Sequence, residues 1–154
     1  MKKLTVYCAH PISGLTWAEV VNYYENISKT LCEMGLEVLH PMTGKGEIRT
    51  EAGERFKPIN FKNAVASNHS IFERDKWMVN QCDMLLLNLT GTTAVSIGSM
   101  MELAWGSLLG KYTVVIMENN NIHRHAFVAE AADIIFETEA AAMKYLEKFV
   151  KQAI

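Results

Sequence analysis

The run Met84-Leu-Leu-Leu-Asn-Leu89, followed by Thr90-Gly-Thr-Thr-Ala-Val-Ser-Ile-Gly98 and closed by Tyr112-Thr-Val-Val-Ile-Met117, decides the fold class. The first run is apolar almost without interruption, the pattern of a strand covered on both faces rather than one with a solvated side. Small and turn-forming residues then lead into a helical segment, and Tyr112 opens a second β-rich run. Strand, helix and strand in this order form a crossover unit with parallel strands.

The same alternation extends outward. Upstream, residues 4–9 read as a short strand that stops at the turn-forming Pro11-Ile-Ser-Gly14. A helix follows, opened by a capping box of Thr16 and Glu19, with Ala18, Val21, Tyr24, Ile27, Leu31 and Met34 at helical spacing and Gly35 at its end. Residues 36–39 are a second strand. Residues 70–81 read as a helix with its own box, Ser70 and Glu73. Downstream, a polar loop at 118–125 leads through a short helix to a strand near 134–136 and an amphipathic helix from about 139 to 151. The prediction is an α/β chain: a flavodoxin-like (Rossmann-like) doubly wound five-stranded parallel sheet with helices on both faces, as one domain over 1–154. Ligands of such sheets bind beyond the carboxyl ends of the strands. Here those ends carry residues 7–14, 43–68, 90–99 and 118–125.

The 154 residues suit one domain, and 49% hydrophobic with 21% charged content is ordinary for a globular protein. A net charge of −2 argues against a broad nucleic-acid surface but leaves room for a local anion site. Cys8, Cys32 and Cys82 form no C-x-x-C pair, so neither a disulfide framework nor a zinc site is expected, and a cytoplasmic setting follows. No histidine pair has metal-ligand spacing; His123 and His125 fall in a loop that reads as mobile, and His69 in the loop before the second helix. Trp17, Trp77 and Trp105 read as packing residues. The opening residues suggest neither a signal peptide nor a membrane span.

Two carboxylates stand out. Between Asp83 and Lys111 the one charged side chain is Glu102, beside Leu103, Ala104, Trp105, Leu108 and Leu109 in a helix that reads as apolar nearly all round and therefore buried. A buried carboxylate is paired, hydrogen-bonded or working. Ser99 with Glu102 also fits a capping box, which would explain the glutamate structurally. On the helix at 70–81, Asp75 falls in the middle of the face made by Ile71, Phe72, Met78, Val79 and Cys82. There it needs either a functional role or a local partner such as Arg74. Ser96, Gly98 and Ser99 open the Glu102 helix, where free amides and the helix dipole favour an anion, although no P-loop is present. Residues 43–68, with Lys45, Arg49, Arg55, Lys57 and Lys62, read either as a binding loop or as a solvated insertion.

Three segments together resemble the nucleoside 2-deoxyribosyltransferase superfamily, including its deoxynucleoside 5′-monophosphate and cytidylate N-hydrolases: Val6-Tyr-Cys-Ala-His-Pro-Ile-Ser-Gly14, Glu73-Arg-Asp75 with Cys82-Asp83, and Ser96 to Gly106 continuing into Gly110-Lys-Tyr112. The resemblance implies that Glu102 is the nucleophile at the anomeric carbon, that Tyr7 holds and tunes it, and that Asp75 assists proton transfer to the leaving base. It places substrate contacts at His10, Ser13, Gly14, Ser96, Gly98, Ser99 and His125, the last toward a neighbouring subunit. Ser96 stands where transferases of the superfamily carry an aspartate and monophosphate hydrolases a serine, which favours a 5′-phosphate. Ser13 replaces an arginine of the deoxynucleotide hydrolase, and His10 a common glycine; His125, Lys45 or Arg49 could supply the missing positive charge. The resemblance thus implies an N-glycosidase acting on a (deoxy)nucleoside 5′-monophosphate, without cofactor or metal and as a homodimer or higher homo-oligomer. Deoxyribosyl transfer between bases and a non-catalytic nucleotide-binding module are the alternatives.

Overall fold

The computed structural model describes residues 3–44, 53–56 and 64–153. Among these, β1 (Thr5–Ala9), β2 (Glu37–Leu39), β3 (Met84–Asn88), β4 (Tyr112–Ile116) and β5 (Ile134–Phe136) form one parallel sheet in the order β2-β1-β3-β4-β5. The helices are α1 (Trp17–Glu33), α2 (Asn68–Gln81), α3 (Ile97–Leu108), α4 (Ala126–Ala131) and α5 (Glu139–Ala153). This is the flavodoxin-like arrangement expected from the sequence, and its strand order reverses between β1 and β3.

Alternation along the strands assigns each side chain to a face. Val6, Cys8, Met84 and Leu86 pack with Val20, Tyr24, Ile27 and Leu31 of α1 and with Ala142, Leu146 and Val150 of α5. Tyr7, Ala9, Leu85 and Leu87 pack on the other side with Met78 and Val79 of α2, Leu103 of α3 and Val128 of α4. Period two therefore places Tyr7 on the same side of the sheet as the helices that carry Asp75 and Glu102.

The α1 capping box forms as predicted: Thr16 Oγ1 accepts from Glu19 N at 3.3 Å, and Glu19 Oε2 accepts from Thr16 N at 2.7 Å. The expected Ser70–Glu73 box does not form. Ser67 is the N-cap of α2 and accepts from Ser70 N at 3.2 Å, so the helix starts earlier and takes in His69. Glu73 instead pairs with Lys76 one turn on. Ser67 has a serine rather than a glutamate three residues on, so the capping-box pattern points to Ser70, and the end of the preceding loop decides for Ser67.

The α3 helix is buried on one face only, which corrects the all-round burial read from its sequence. Ser99, Glu102, Leu103 and Gly106 are buried, whereas Ile97 is 74% exposed and Leu108 85%. The sheet covers one side, and α4 is too short to cover the other. At Gly106 a Cβ would stand 2.9 Å from Leu85 Cδ2 and 3.3 Å from Thr113 Cγ2. This glycine lets α3 lie close on β3 and β4 and holds Glu102, one turn earlier, at the level of Tyr7. Trp77 is likewise exposed, at 58%, rather than packed.

All three cysteines are free thiols, and no helix among the described residues is long and apolar enough to cross a membrane.

Candidate active site

Tyr7, in the middle of β1, is fully buried and donates its phenolic O–H to Glu102 Oε1 at 2.7 Å. Glu102 is itself only 7% exposed. Burial, then the nearby charges of Glu102 and Asp75, push the Tyr7 phenol well above its ordinary pKa. The tyrosine is therefore protonated at neutral pH and acts as a donor. Asp75, half-buried on α2, lies close enough to contribute to that shift. Three residues distant in sequence thus converge beside β1.

The capping-box explanation of Glu102 does not hold. Ser96 is the N-cap of α3; its Oγ accepts from Ser99 N at 3.3 Å and lies 2.9 Å from Ser99 Oγ. This puts Glu102 in the second turn, beyond reach of the cap backbone. Its carboxylate is engaged by Tyr7 from the face of the sheet that α3 covers, and Gly98 sits in the first turn between the two serines.

His10 follows the last residue of β1, and its Nδ1 lies 2.8 Å from Asn88 O at the end of β3. A carbonyl only accepts, so the proton is on Nδ1. This bond spans the switch point where the strand order reverses. The ring stacks on Tyr23 at 4.2 Å, and burial lowers its pKa, against the opposing pull of the Asn88 carbonyl. Tyr24 donates to His10 O at 3.4 Å and stacks on His40 at 4.8 Å. Helical spacing places Tyr24 on the core face of α1 and says nothing of Tyr23. Their ring stacking with two histidines from different strand ends is visible only in three dimensions.

Ser13 and Gly14 form an exposed turn, with Gly14 at φ +86°. Residues 53–56 brace it: Gly14 N donates to Phe56 O at 2.9 Å, and Phe56 N to Leu15 O at 2.8 Å. The Arg55 guanidinium donates to Gly14 O and stands 4.0 Å from Glu19 Oε2. Arg55 is therefore a base at the first turn, a placement that composition alone does not single out. Lys45, Arg49, Lys57 and Lys62, and with them most of the 43–68 segment read as a binding loop or insertion, lie outside the described residues.

His125 is exposed and caps α4, its Nδ1 accepting from Phe127 N at 3.2 Å. With Val95, His123 and Leu103 it lines a cavity of about 430 Å³ between α3 and α4, next to the chain leading into Ser96. The preceding loop is well anchored, not mobile as its composition suggests: His123 is 3% exposed and Asn121 8%, both within hydrogen-bonding networks. Among the described residues no three His, Cys, Asp or Glu side chains gather into a set that would hold a metal ion.

The model of the nucleoside 2-deoxyribosyltransferase family matches residues 6–145. Among solved structures, the chain is similar to a 2-deoxyribosyltransferase from Bacillus psychrosaccharolyticus, with a TM-score of 0.66 and 16% identity over 92% of this chain and 91% of that one. It is also similar to the CMP N-glycosidase BcmB of Clostridium botulinum, with a TM-score of 0.58 and 16% identity over 94% of this chain and 98% of that one. At this identity both likenesses speak to the fold. No curated protein matches the sequence.

Proposed function

Because the chain belongs to the nucleoside 2-deoxyribosyltransferase family, we propose that it hydrolyses the N-glycosidic bond of a (deoxy)nucleoside 5′-monophosphate through a glycosyl ester on Glu102. The observation that carries this reading is the buried 2.7 Å bond from Tyr7 to Glu102, with Asp75 in electrostatic reach of the same phenol. A tyrosine that donates to one carboxylate oxygen fixes the carboxylate's orientation.

In the first step the Glu102 carboxylate forms a bond to the anomeric carbon as the bond to the base nitrogen breaks, and the departing base gains a proton with the help of Asp75. In the second, water attacks the same carbon, loses a proton and frees Glu102, giving the sugar 5-phosphate. Negative charge at Glu102 also stabilises the oxocarbenium-like state between these bonds. Ser96, at the start of α3 where helix amides concentrate, supports a 5′-phosphate over a 5′-hydroxyl. Ser99, Gly98, His10 and the Ser13–Gly14 turn complete the proposed substrate contacts, with Arg55 as a further cation beside the turn.

Incubation with a panel of nucleosides and their 5′-monophosphates, with and without a second free base, tests the reading. Release of base from a monophosphate without an acceptor is expected. Formation of a new nucleoside only when an acceptor is added would replace hydrolysis by base exchange. An inert panel would favour the non-catalytic module.

The reading includes self-association. Every exposed large apolar side chain among the described residues lies on α2, α3, α4 or their flanking turns, and none on α1 or α5. Ile97, Met101 and Leu108 form a stripe along α3 that carries no charge, so a second copy can lie against it without like-charge repulsion. His125 and Phe127 belong to the same side, which would bring His125 toward a neighbour's site. Sedimentation velocity is expected to show a dimer or larger species, and the double variant L108E/F127E a folded monomer. A monomeric parent protein would remove this part of the reading.

A further inference from the structure

The amide of Ser96, the residue that caps α3, donates to Nε2 of His123 at 2.9 Å. An amide N–H only donates, so Nε2 carries the lone pair and the ring proton is on Nδ1. Nδ1 faces two oxygens suited to receive it, Asn121 Oδ1 at 2.9 Å and Thr92 Oγ1 at 3.3 Å, and Thr92 Oγ1 itself donates to Leu89 O at 2.7 Å. Asn121 is fixed in turn: its Nδ2 donates to Leu89 O at 2.7 Å and to Glu118 Oε2 at 2.6 Å, while Glu118 Oε1 accepts from Gly91 N at 2.7 Å. Side chains, not a strand ladder, therefore clamp the turn after β4 onto the turn after β3. The bond from His123 acts on the backbone of Ser96 itself.

We propose that His123 is a positioning residue: as a neutral ring protonated on Nδ1, it sets the backbone of Ser96 and thereby the phosphate end of the substrate site. The proposal rests on the monophosphate reading only for what Ser96 binds; the anchoring of Ser96 stands apart from it. A second proton would go to Nε2 and turn it from acceptor to donor, opposing the Ser96 N–H. Burial lowers the His123 pKa, which keeps the ring neutral at pH 7. Its own loop carries Glu118, Arg124 and His125, and the one charged residue of α3, the helix that Ser96 caps, is Glu102, which is bonded to Tyr7. Glu118 reaches His123 through Asn121, and Arg124 is turned to the carbonyls of Met117 and Glu118. The turn at 89–96 contains no ionisable side chain.

The test uses the full chain with His123→Leu, which keeps bulk without an acceptor, and His123→Gln, whose amide oxygen replaces Nε2 and takes up no proton. In the parent protein, long-range 1H–15N spectra at pH 7 are expected to show Nε2 unprotonated, and the Ser96 amide to exchange slowly. With a monophosphate substrate, His123→Leu is expected to raise KM about tenfold, the equivalent of one buried hydrogen bond of about 1.4 kcal/mol, and to leave kcat within about twofold. The parent's KM is expected to rise on acidification as Nε2 takes up a proton, and His123→Gln is expected to restore KM and to abolish that rise. The matching nucleoside, lacking the phosphate, is expected to show no KM effect. A protonated Nε2 at pH 7, or an unchanged monophosphate KM in His123→Leu, would overturn the proposal. So would a KM effect shared equally by the nucleoside. Absence of turnover on any substrate would defeat the functional reading, while the spectra would still decide whether His123 holds Ser96.

Discussion

Glu102→Gln is expected to lower turnover on the order of 10⁴-fold or more, because an amide neither attacks the anomeric carbon nor carries the charge that favours an oxocarbenium-like state. The substitution is nearly isosteric. The new amide would retain a carbonyl oxygen at the end of the 2.7 Å bond from Tyr7, so the buried contact between β1 and α3 persists. Gly106, one turn further, still seats the helix against Leu85. The melting temperature should therefore move by only a few degrees, about 1 kcal/mol for a domain of this size. That separation of activity from stability is what a reacting carboxylate requires and what a structural one forbids. Measuring kcat on the substrate found in the panel, together with the thermal melt, decides it. If the variant keeps within tenfold of parent activity, Glu102 is not the nucleophile.

How much of this is legible in the sequence depends on the range of each interaction. The βαβ unit at 84–117 is readable because continuous apolarity in β3 and turn chemistry at 90–98 are local signals, and the parallel sheet follows from their order. Glu102 is readable as an isolated charge, but not what holds it. Its partner Tyr7 lies 95 positions away, and only the alternation of β1 turns that phenol toward α3. Ser99 has the capping-box spacing and Ser96 does not, yet Ser96 caps α3, because the cap depends on where the 89–96 turn ends, and there the Ser96 amide meets His123 from the next crossover. The same locality explains the error over α3: apolar residues on every side of a helix signal burial, yet Ile97 and Leu108 face outward because none of the described residues covers them. His123 reads as loop because its surroundings in sequence are polar, whereas its order comes from Asn121, Thr92 and the Ser96 amide, all brought to it by the fold.

Asp75→Asn is expected to show a loss that depends on the leaving group, and this dependence distinguishes a proton-handling role from a packing one. On α2, Asp75 shares a face with the buried Met78 and Val79, and its charge is felt at the Tyr7 phenol. Asparagine preserves shape and hydrogen-bonding capacity but neither relays a proton to a departing base nor carries charge. For an ordinary nucleobase the expected fall in kcat is about 10²- to 10⁴-fold, the usual range for a lost general acid–base group. A substrate whose base is alkylated on the ring already carries positive charge there and departs as a neutral molecule. It needs no proton, so with it the variant should approach parent activity. If Asp75 merely supported the α2 face, both substrates would lose equally, since a displaced helix harms every reaction at the site. The ratio of the two losses is therefore the measurement, and an equal loss would return Asp75 to a structural role. Removing the aspartate charge also removes one of the influences that raise the Tyr7 pKa, so the variant's phenol should titrate at a lower pH than the parent's. A lowered value would show, without any substrate, that the charge at residue 75 reaches the Tyr7 phenol in the parent.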